Sequence, residues 1–371
     1  MIKRDAYPGL WEILPAPGQW VRRMAPAFPV LLFLGFLACQ YPVGPSTLPE
    51  QEHFLIIDAE LTENFGKVLV SQTLAGVTES GDYILPDPPV AAAYVLDSHG
   101  NRTDFITNGV ADSTFKGVVG ETYTLYVETE GKVYESTPET MRPCPELDSV
   151  GVLFSPETFR DPQDLNYYGF DVYAYLQDFA GREDFYQWDW IHYTRSEACD
   201  VILENGQEVR VHCTPYDCWG ITYNTRTVVQ SDQLRDGGAI SRKIVRVPFA
   251  TPPNKYYLRV VQRAVTPSVF AYLQSIETQT QNTGSMFDVP AQTRFNPNVS
   301  NVNDPSERIL GAFSVYAYRY KVIYINLNQP VNGIIARVKP NQLPFASDPL
   351  LQAPCQEGRF RTLKRPIGWV D

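Results

Sequence analysis

The sequence predicts a mainly β protein: an N-terminal immunoglobulin-like sandwich followed by a larger antiparallel β-rich domain with one helix near 267–281. Three observations carry this. Thirty prolines accompany 22 tyrosines and 19 phenylalanines in 371 residues, a composition that favours many short strands over long helices. Polar and apolar residues alternate at period two along several stretches, as in strands with one buried face. Turn-forming clusters of Gly, Asn, Asp and Pro separate those stretches. At 44% hydrophobic and 20% charged, the chain can bury a large core. No solenoid or propeller repeat is present.

Taken in order, the first 38 residues read as a secretory signal. Lys3, Arg4, Arg22 and Arg23 precede an apolar run from Met24 to Ala38, roughly fifteen residues and short for a bilayer span. The run ends Phe36-Leu37-Ala38-Cys39, which resembles a bacterial lipobox, so Cys39 is the expected acylation site and new N-terminus. Two or more acyl chains would hold the protein stably on a membrane. Residues 39–52 then form an extended tether. Removing residues 1–38 takes away four basic and two acidic residues, which carries the net charge from -11 to -13. Such a charge excludes nucleic acid as a partner, because phosphate binding needs a cationic surface.

Residues 53–142 form the expected first domain. Phe54–Ile57 and Lys67–Ser71 are strand-like around the turn Glu63-Asn64-Phe65-Gly66. Pro88 and Pro89 introduce a third strand, Val90–Leu96, which ends at Asp97-Ser98-His99-Gly100. Glu121–Val127 alternates, and Gly131 turns it into Lys132–Glu135. About seven short strands in this space suggest the immunoglobulin-like sandwich. The proline-punctuated stretch Ser136–Pro145 marks the boundary to residues 143–371.

In the second part, Tyr168, Phe170, Val172, Ala174 and Leu176 share one strand face, and Tyr186, Trp188, Trp190 and His192 share another. Asn205-Gly206, Asp236-Gly237-Gly238 and Asn332-Gly333 are turns. Thr266 can cap a helix that starts at Pro267 and places Val269, Leu273 and Ile276 on one side. Phe313–Leu327 is a long strand with Tyr316, Tyr318, Tyr320 and Tyr324 on one face.

These residues resemble a known family. Phe54–Asp58, Pro89–Gly100 and Gly120–Leu125 with Tyr134-Glu135-Ser136 are similar, in order, to segments of the Bacteroidota lipoproteins grouped as domain of unknown function 4249. The most specific match runs through Phe270–Leu273, Gln279, Gly284–Ala291 and Ile309–Ser314. The resemblance implies an outer-membrane lipoprotein, often associated with TonB-dependent receptors, and implies no known activity.

Candidate chemistry is sparse. An exported chain with Cys199, Cys213 and Cys218 inside twenty residues is expected to hold at least one disulfide among them, and which pair forms is open. Those cysteines with His192 and His212 offer soft ligands, but the spacing lacks any CxxC or HxxxH element, so no metal site is assigned. There is no GxSxG, HExxH or Walker-type loop, and carboxylates such as Glu183, Asp184 and Asp189 are too common to signal catalysis. No catalytic residue and no cofactor is assigned. Tyr186, Trp188 and Trp190 would make a stacking platform for a sugar or partner if they faced solvent, with core packing the favoured alternative. Asn101-Arg102-Thr103 and Asn298-Val299-Ser300 are sequons read as chance. The expected role is binding or scaffolding beside an outer-membrane receptor. A stand-alone glycan- or peptide-binding lipoprotein is the alternative, and an envelope hydrolase a distant third.

Overall fold

The computed structural model describes residues 54–73, 76–77, 83–84, 88–105, 109–110, 112–160, 166–197, 200–204, 207–211, 217–248, 255–281, 294–326, 357–358 and 360–370. The first strands are β1 (Leu55–Thr62), β2 (Gly66–Gln72), β3 (Gly76–Val77), β4 (Tyr83–Ile84), β5 (Val90–Asp97), β6 (Arg102–Asp104), β7 (Thr122–Thr129), β8 (Lys132–Ser136) and β9 (Glu139–Thr140). The middle of the chain gives β10 (Ser149–Arg160), β11 (Asn166–Gln177), β12 (Phe185–Glu197), β13 (Asp200–Glu204), β14 (Gln207–Val211), β15 (Asp217–Tyr223), β16 (Val228–Ser231), β17 (Ala239–Pro248) and β18 (Lys255–Ala264). Helix α1 (Pro267–Gln281) follows, then β19 (Val299–Asn301), β20 (Ile309–Leu310), β21 (Phe313–Asn326) and β22 (Arg361–Thr362). The fold is all-β apart from this one helix among the described residues.

A nine-stranded sheet organises the rest. Its strands run in the order β2-β1-β21-β18-β12-β15-β22, with β16 on β12 and β20 on β1. Its register explains the two faces. Ala264 pairs with Ala317 and with Tyr186, and Val260 with Lys321 and Trp190. Because side chains alternate across a strand, the even-numbered residues of β12 and β18 share a face with Ala317, Val315 and Phe313. Two smaller sheets cover that face. The six-stranded sheet β19-β8-β7-β5-β6, with β9 on β7, closes a core of Ile57, Leu61, Val70, Leu125, Val127 and Phe313, all fully buried. The three-stranded sheet β10-β11-β17 closes a second core around Val172, Leu176, Trp188, Ile240 and Val260. Each fully buried aliphatic side chain contributes roughly 1.5–3 kcal/mol relative to exposure.

The expected boundary at residues 142/143 does not divide this assembly. Strand β1 runs parallel to β21, with Ala59 opposite Phe313 and Thr62 opposite Tyr316, so the N-terminal sandwich takes one of its strands from the far end of the chain. Residues His53–Asp371 accordingly form one compact unit. Gly311 makes the parallel contact possible. It sits at φ +88, and a Cβ there would come within 2.1 Å of the Ile57 carbonyl oxygen. Only glycine tolerates both the conformation and the approach.

Helix α1 begins at Pro267 as expected, and the Phe270 N–H donates to the Thr266 carbonyl at 2.8 Å. Val269 and Phe270 are buried with Phe185, Val229 and Val265 in a third, smaller core, against which Leu273 packs. The Thr266 hydroxyl contacts the Ser268 hydroxyl at 3.1 Å.

Candidate functional site

The C-terminal segment carries four exposed large apolar side chains within eleven residues, Phe360, Leu363, Ile367 and Val370. Strand β22 lies at the edge of the large sheet, where Trp219 pairs with Thr362 and the Ile221 N–H donates to the Phe360 carbonyl at 2.9 Å. Beyond it the chain is anchored by aromatic side chains on the sheet's second face. The Trp369 ring packs edge-on against Trp219 at 4.5 Å and stacks with Tyr257 at 5.5 Å. The Tyr257 hydroxyl donates to the Ile367 carbonyl at 2.8 Å, and the Val370 N–H donates to the Tyr324 hydroxyl at 2.6 Å. With Trp369 turned inward as the anchor, its neighbours turn outward. Phe360, Leu363, Ile367 and Val370 are 60%, 50%, 56% and 58% exposed, and Phe360 lies beside the exposed Tyr223 ring. Exposed large apolar side chains along one segment can mark a surface for association.

Further along that second face lies a charged network. Arg263 reaches Asp189 at 3.3 Å and sits over the Tyr316 ring at 5.1 Å, while the Tyr316 hydroxyl donates to Glu60 at 3.0 Å. Burial pushes the Tyr316 phenol well above its ordinary value despite the opposing Arg263 charge. Solvent reaches Asp58, yet protein rings it. The lost hydration, and then the Glu60 carboxylate beside it, raise Asp58 to about 6 against the pull of Lys67 and Arg263. The face therefore centres on Arg263, flanked by Asp189, Tyr316 and the Glu60 and Asp58 carboxyls.

A groove of about 490 Å³ opens between α1, β16 and β17, lined by Gln230, Arg242, Phe270, Gln274, Glu277 and Leu234 among others. Arg242 donates to Glu277 across it at 2.6 Å. Neither Trp nor Tyr lines it, and Phe270, largely buried, is its aromatic side chain.

The stacking platform considered at Tyr186, Trp188 and Trp190 is absent from the surface. Tyr186 and Trp188 are fully buried in the second core, and Trp190 is half-buried against it. The physical reason is the register: these even-numbered residues of β12 face the three-stranded sheet, leaving Gln187 and Asp189 on the other side. The Trp188 indole donates to the Gln262 side chain at 3.2 Å, and the Tyr186 hydroxyl donates to Asp178. His192 is a structural residue. Its ring stacks on Tyr256 at 3.8 Å, and its two nitrogens meet the Tyr257 carbonyl at 2.7 Å and the Thr194 hydroxyl at 2.9 Å.

Cys39, Cys199 and Cys213 lie outside the described residues. Cys218 is fully buried and disulfide-bonded, while Cys144 is a free buried thiol, so the partner of Cys218 lies outside the described residues as well. Burial pushes the Cys144 thiol up to about 11. Asn298 is buried, and its amide bridges Glu139 and the Phe313 carbonyl at 2.8 Å each, a position no glycosylating enzyme reaches in the folded chain. Sequence reasoning did not single out Phe360, Leu363, Ile367 and Val370; the signal was four apolar residues left exposed in a stretch with no strand periodicity.

No helix among the described residues is long and apolar enough to cross a membrane. Comparison with curated proteins and with solved structures returns no match. Residues 43–321 match the model of a family described as Domain of unknown function (DUF4249), a span that runs from ahead of β1 through helix α1 into β21 and stops short of β22, and the chain belongs to that family.

Proposed function

We propose that the protein is an outer-membrane lipoprotein, held by acylated Cys39, that serves as a binding or scaffolding accessory subunit of a TonB-dependent receptor or similar envelope complex and performs no catalysis. The observation that carries this reading is the exposed apolar stretch on and after β22. Its four large side chains are half or more exposed, running from Phe360 at the sheet edge to Ile367 and Val370 over β18 and β21, where Trp369 anchors the chain. Such a surface is costly to leave in water and suits a lasting protein partner better than a small ligand. The groove beside α1, by contrast, is lined by neither Trp nor Tyr.

The test is a mild-detergent pull-down of the full-length protein from native membranes, with the affinity tag inserted in the exposed turn at Ser98–Gly100 to leave the C-terminal stretch free. The expected result is a β-barrel receptor in stoichiometric amount, lost from the paired variant Phe360→Ser, Ile367→Ser. Reproducible recovery of the lipoprotein alone would overturn the accessory reading and favour the stand-alone binder. Separately, Cys39→Ser should abolish acyl labelling and membrane retention, and continued retention would overturn the anchor.

A further inference from the structure

The connections β11–β12 and β16–β17 meet at one end of the second core, and three buried aspartates face one another there. Asp178 and Asp184 bound the first connection; Asp232 opens the second. The two are knitted by backbone bonds: the Asp232 N–H donates to the Asp184 carbonyl at 3.1 Å and the Asp178 N–H to the Gly238 carbonyl at 3.1 Å. The three side chains are 5%, 1% and 2% exposed, and a carboxylate oxygen from each lies within 4.8 Å of the others.

Two of the three are provided for. Asp184 accepts from Arg182 at 2.7 Å and from Arg142 at 3.3 Å, and Asp178 accepts from the Tyr186 hydroxyl and from the Gly237 N–H at 3.0 Å. Asp232 is not. Both of its carboxylate oxygens are sealed from water and neither receives a hydrogen bond of good geometry, with only the Asp184 backbone and the Asp178 carboxyl as hydrogen-bonding neighbours among the described residues. That observation is separate from the clustering. A buried carboxylate without a donor of good geometry is a group that folding should not leave uncompensated. Three carboxylates against two guanidinium groups also leave the cluster short of positive charge.

Size and chemistry select the missing partner. Calcium binds oxygens at roughly 2.3–2.6 Å, so oxygens on one ion can lie up to about 5 Å apart, whereas magnesium at roughly 2.0–2.1 Å limits that span to about 4.2 Å. A separation of no more than 4.8 Å lies within calcium's reach. Each Asp178 oxygen has one lone pair left after its hydrogen bond, and Asp232 has all of its own. We propose that Asp178, Asp184 and Asp232 form a calcium site that staples the β11–β12 connection to the β16–β17 connection.

The test uses the purified full-length protein, stripped with EGTA and then titrated with calcium. At about 100 times a Kd of roughly 0.1 mM, typical of extracellular sites, the melting temperature should rise by about 4 °C. Terbium should bind in calcium's place and emit when Tyr186, bonded to Asp178, is excited, and calcium but not magnesium should quench that emission. Asp232→Asn, whose amide can donate to Asp178, should fold yet lose the calcium response. Asp104→Asn, which alters the exposed Arg102–Asp104 pair, should keep it. No calcium-dependent shift and no sensitised terbium emission in the unmutated protein would overturn the site and leave a proton on Asp232 as its compensation. A full response in Asp232→Asn would equally overturn it by placing the ion elsewhere. Should Asp232→Asn fail to fold, the chelation and terbium measurements on the unmutated protein decide alone.

Discussion

Trp188 offers the most direct check on the core. Replacing it by alanine removes a fully buried indole from the second sandwich, and truncating a core Trp costs about 3–5 kcal/mol in transfer and cavity terms. The indole also donates to the Gln262 side-chain oxygen at 3.2 Å, inside a buried set in which the Gln262 amide donates to the Pro145 carbonyl at 2.9 Å. Leaving that acceptor without a donor adds about 1–3 kcal/mol. Trp188→Ala should therefore lose about 4–8 kcal/mol. Trp188→Phe keeps most of the ring volume and loses the donor, so it should cost about 2 kcal/mol. Trp190→Ala, at a half-buried position, should fall between these. Urea unfolding followed by circular dichroism, with the m-value compared across variants, reads all three. A loss under about 1 kcal/mol for Trp188→Ala at unchanged m would refute the packing assignment and return this strand face to the surface.

Three further outcomes are expected. Gly311→Ala forces a Cβ into the Ile57 carbonyl and should cost about 3 kcal/mol or more, with thermal unfolding as the readout; a change below about 1 kcal/mol would mean the β1–β21 contact is looser than described. Burial raises Asp171, but hydrogen bonds from Arg246 at 2.6 Å and from Lys243 outweigh it and hold the carboxyl below its ordinary value. The stability it provides is thus complete above a pH of about 4 and lost as pH falls through its folded-state value. Arg246→Ala should cost about 2 kcal/mol at neutral pH and flatten that acid limb in urea titrations. Cys144, buried with its thiol raised to about 11, should resist Ellman's reagent in the folded protein and react once urea unfolds it; rapid native labelling would contradict its burial.

Much of the local structure was legible in the sequence. Phe170, Val172, Ala174 and Leu176 alternate because one face of β11 meets the second core, and all four are buried there. Helix α1 announces itself by Pro267 and by the spacing of Val269 and Leu273. What periodicity leaves open is which strands pair across long separations. The parallel seating of β1 on β21 depends on residues some 250 positions apart, and no local pattern around Leu55 or Phe313 encodes a neighbour. The same limit hid the Asp178, Asp184 and Asp232 cluster, since acidic residues in two turns look solvated until the turns are brought together. For Tyr186, Trp188 and Trp190 the alternation was visible and its direction was not, because a stripe of aromatics reads alike on a core face and on an outer one.

The far-flung pairing of β1 has a consequence for how the protein is made. A chain emerging N-terminus first exposes Ile57, Leu61 and Val70 long before Phe313 and Val315 arrive to cover them. The first sandwich cannot close during synthesis; it must wait for nearly the whole polypeptide, a topology of high contact order and slow collapse. Through that interval β1 and β2 form a sticky ribbon with an open edge, and the nascent chain should depend on a holdase that keeps such ribbons apart. Loss of the last fifth of the coding sequence would then leave even its first strands without a place to settle.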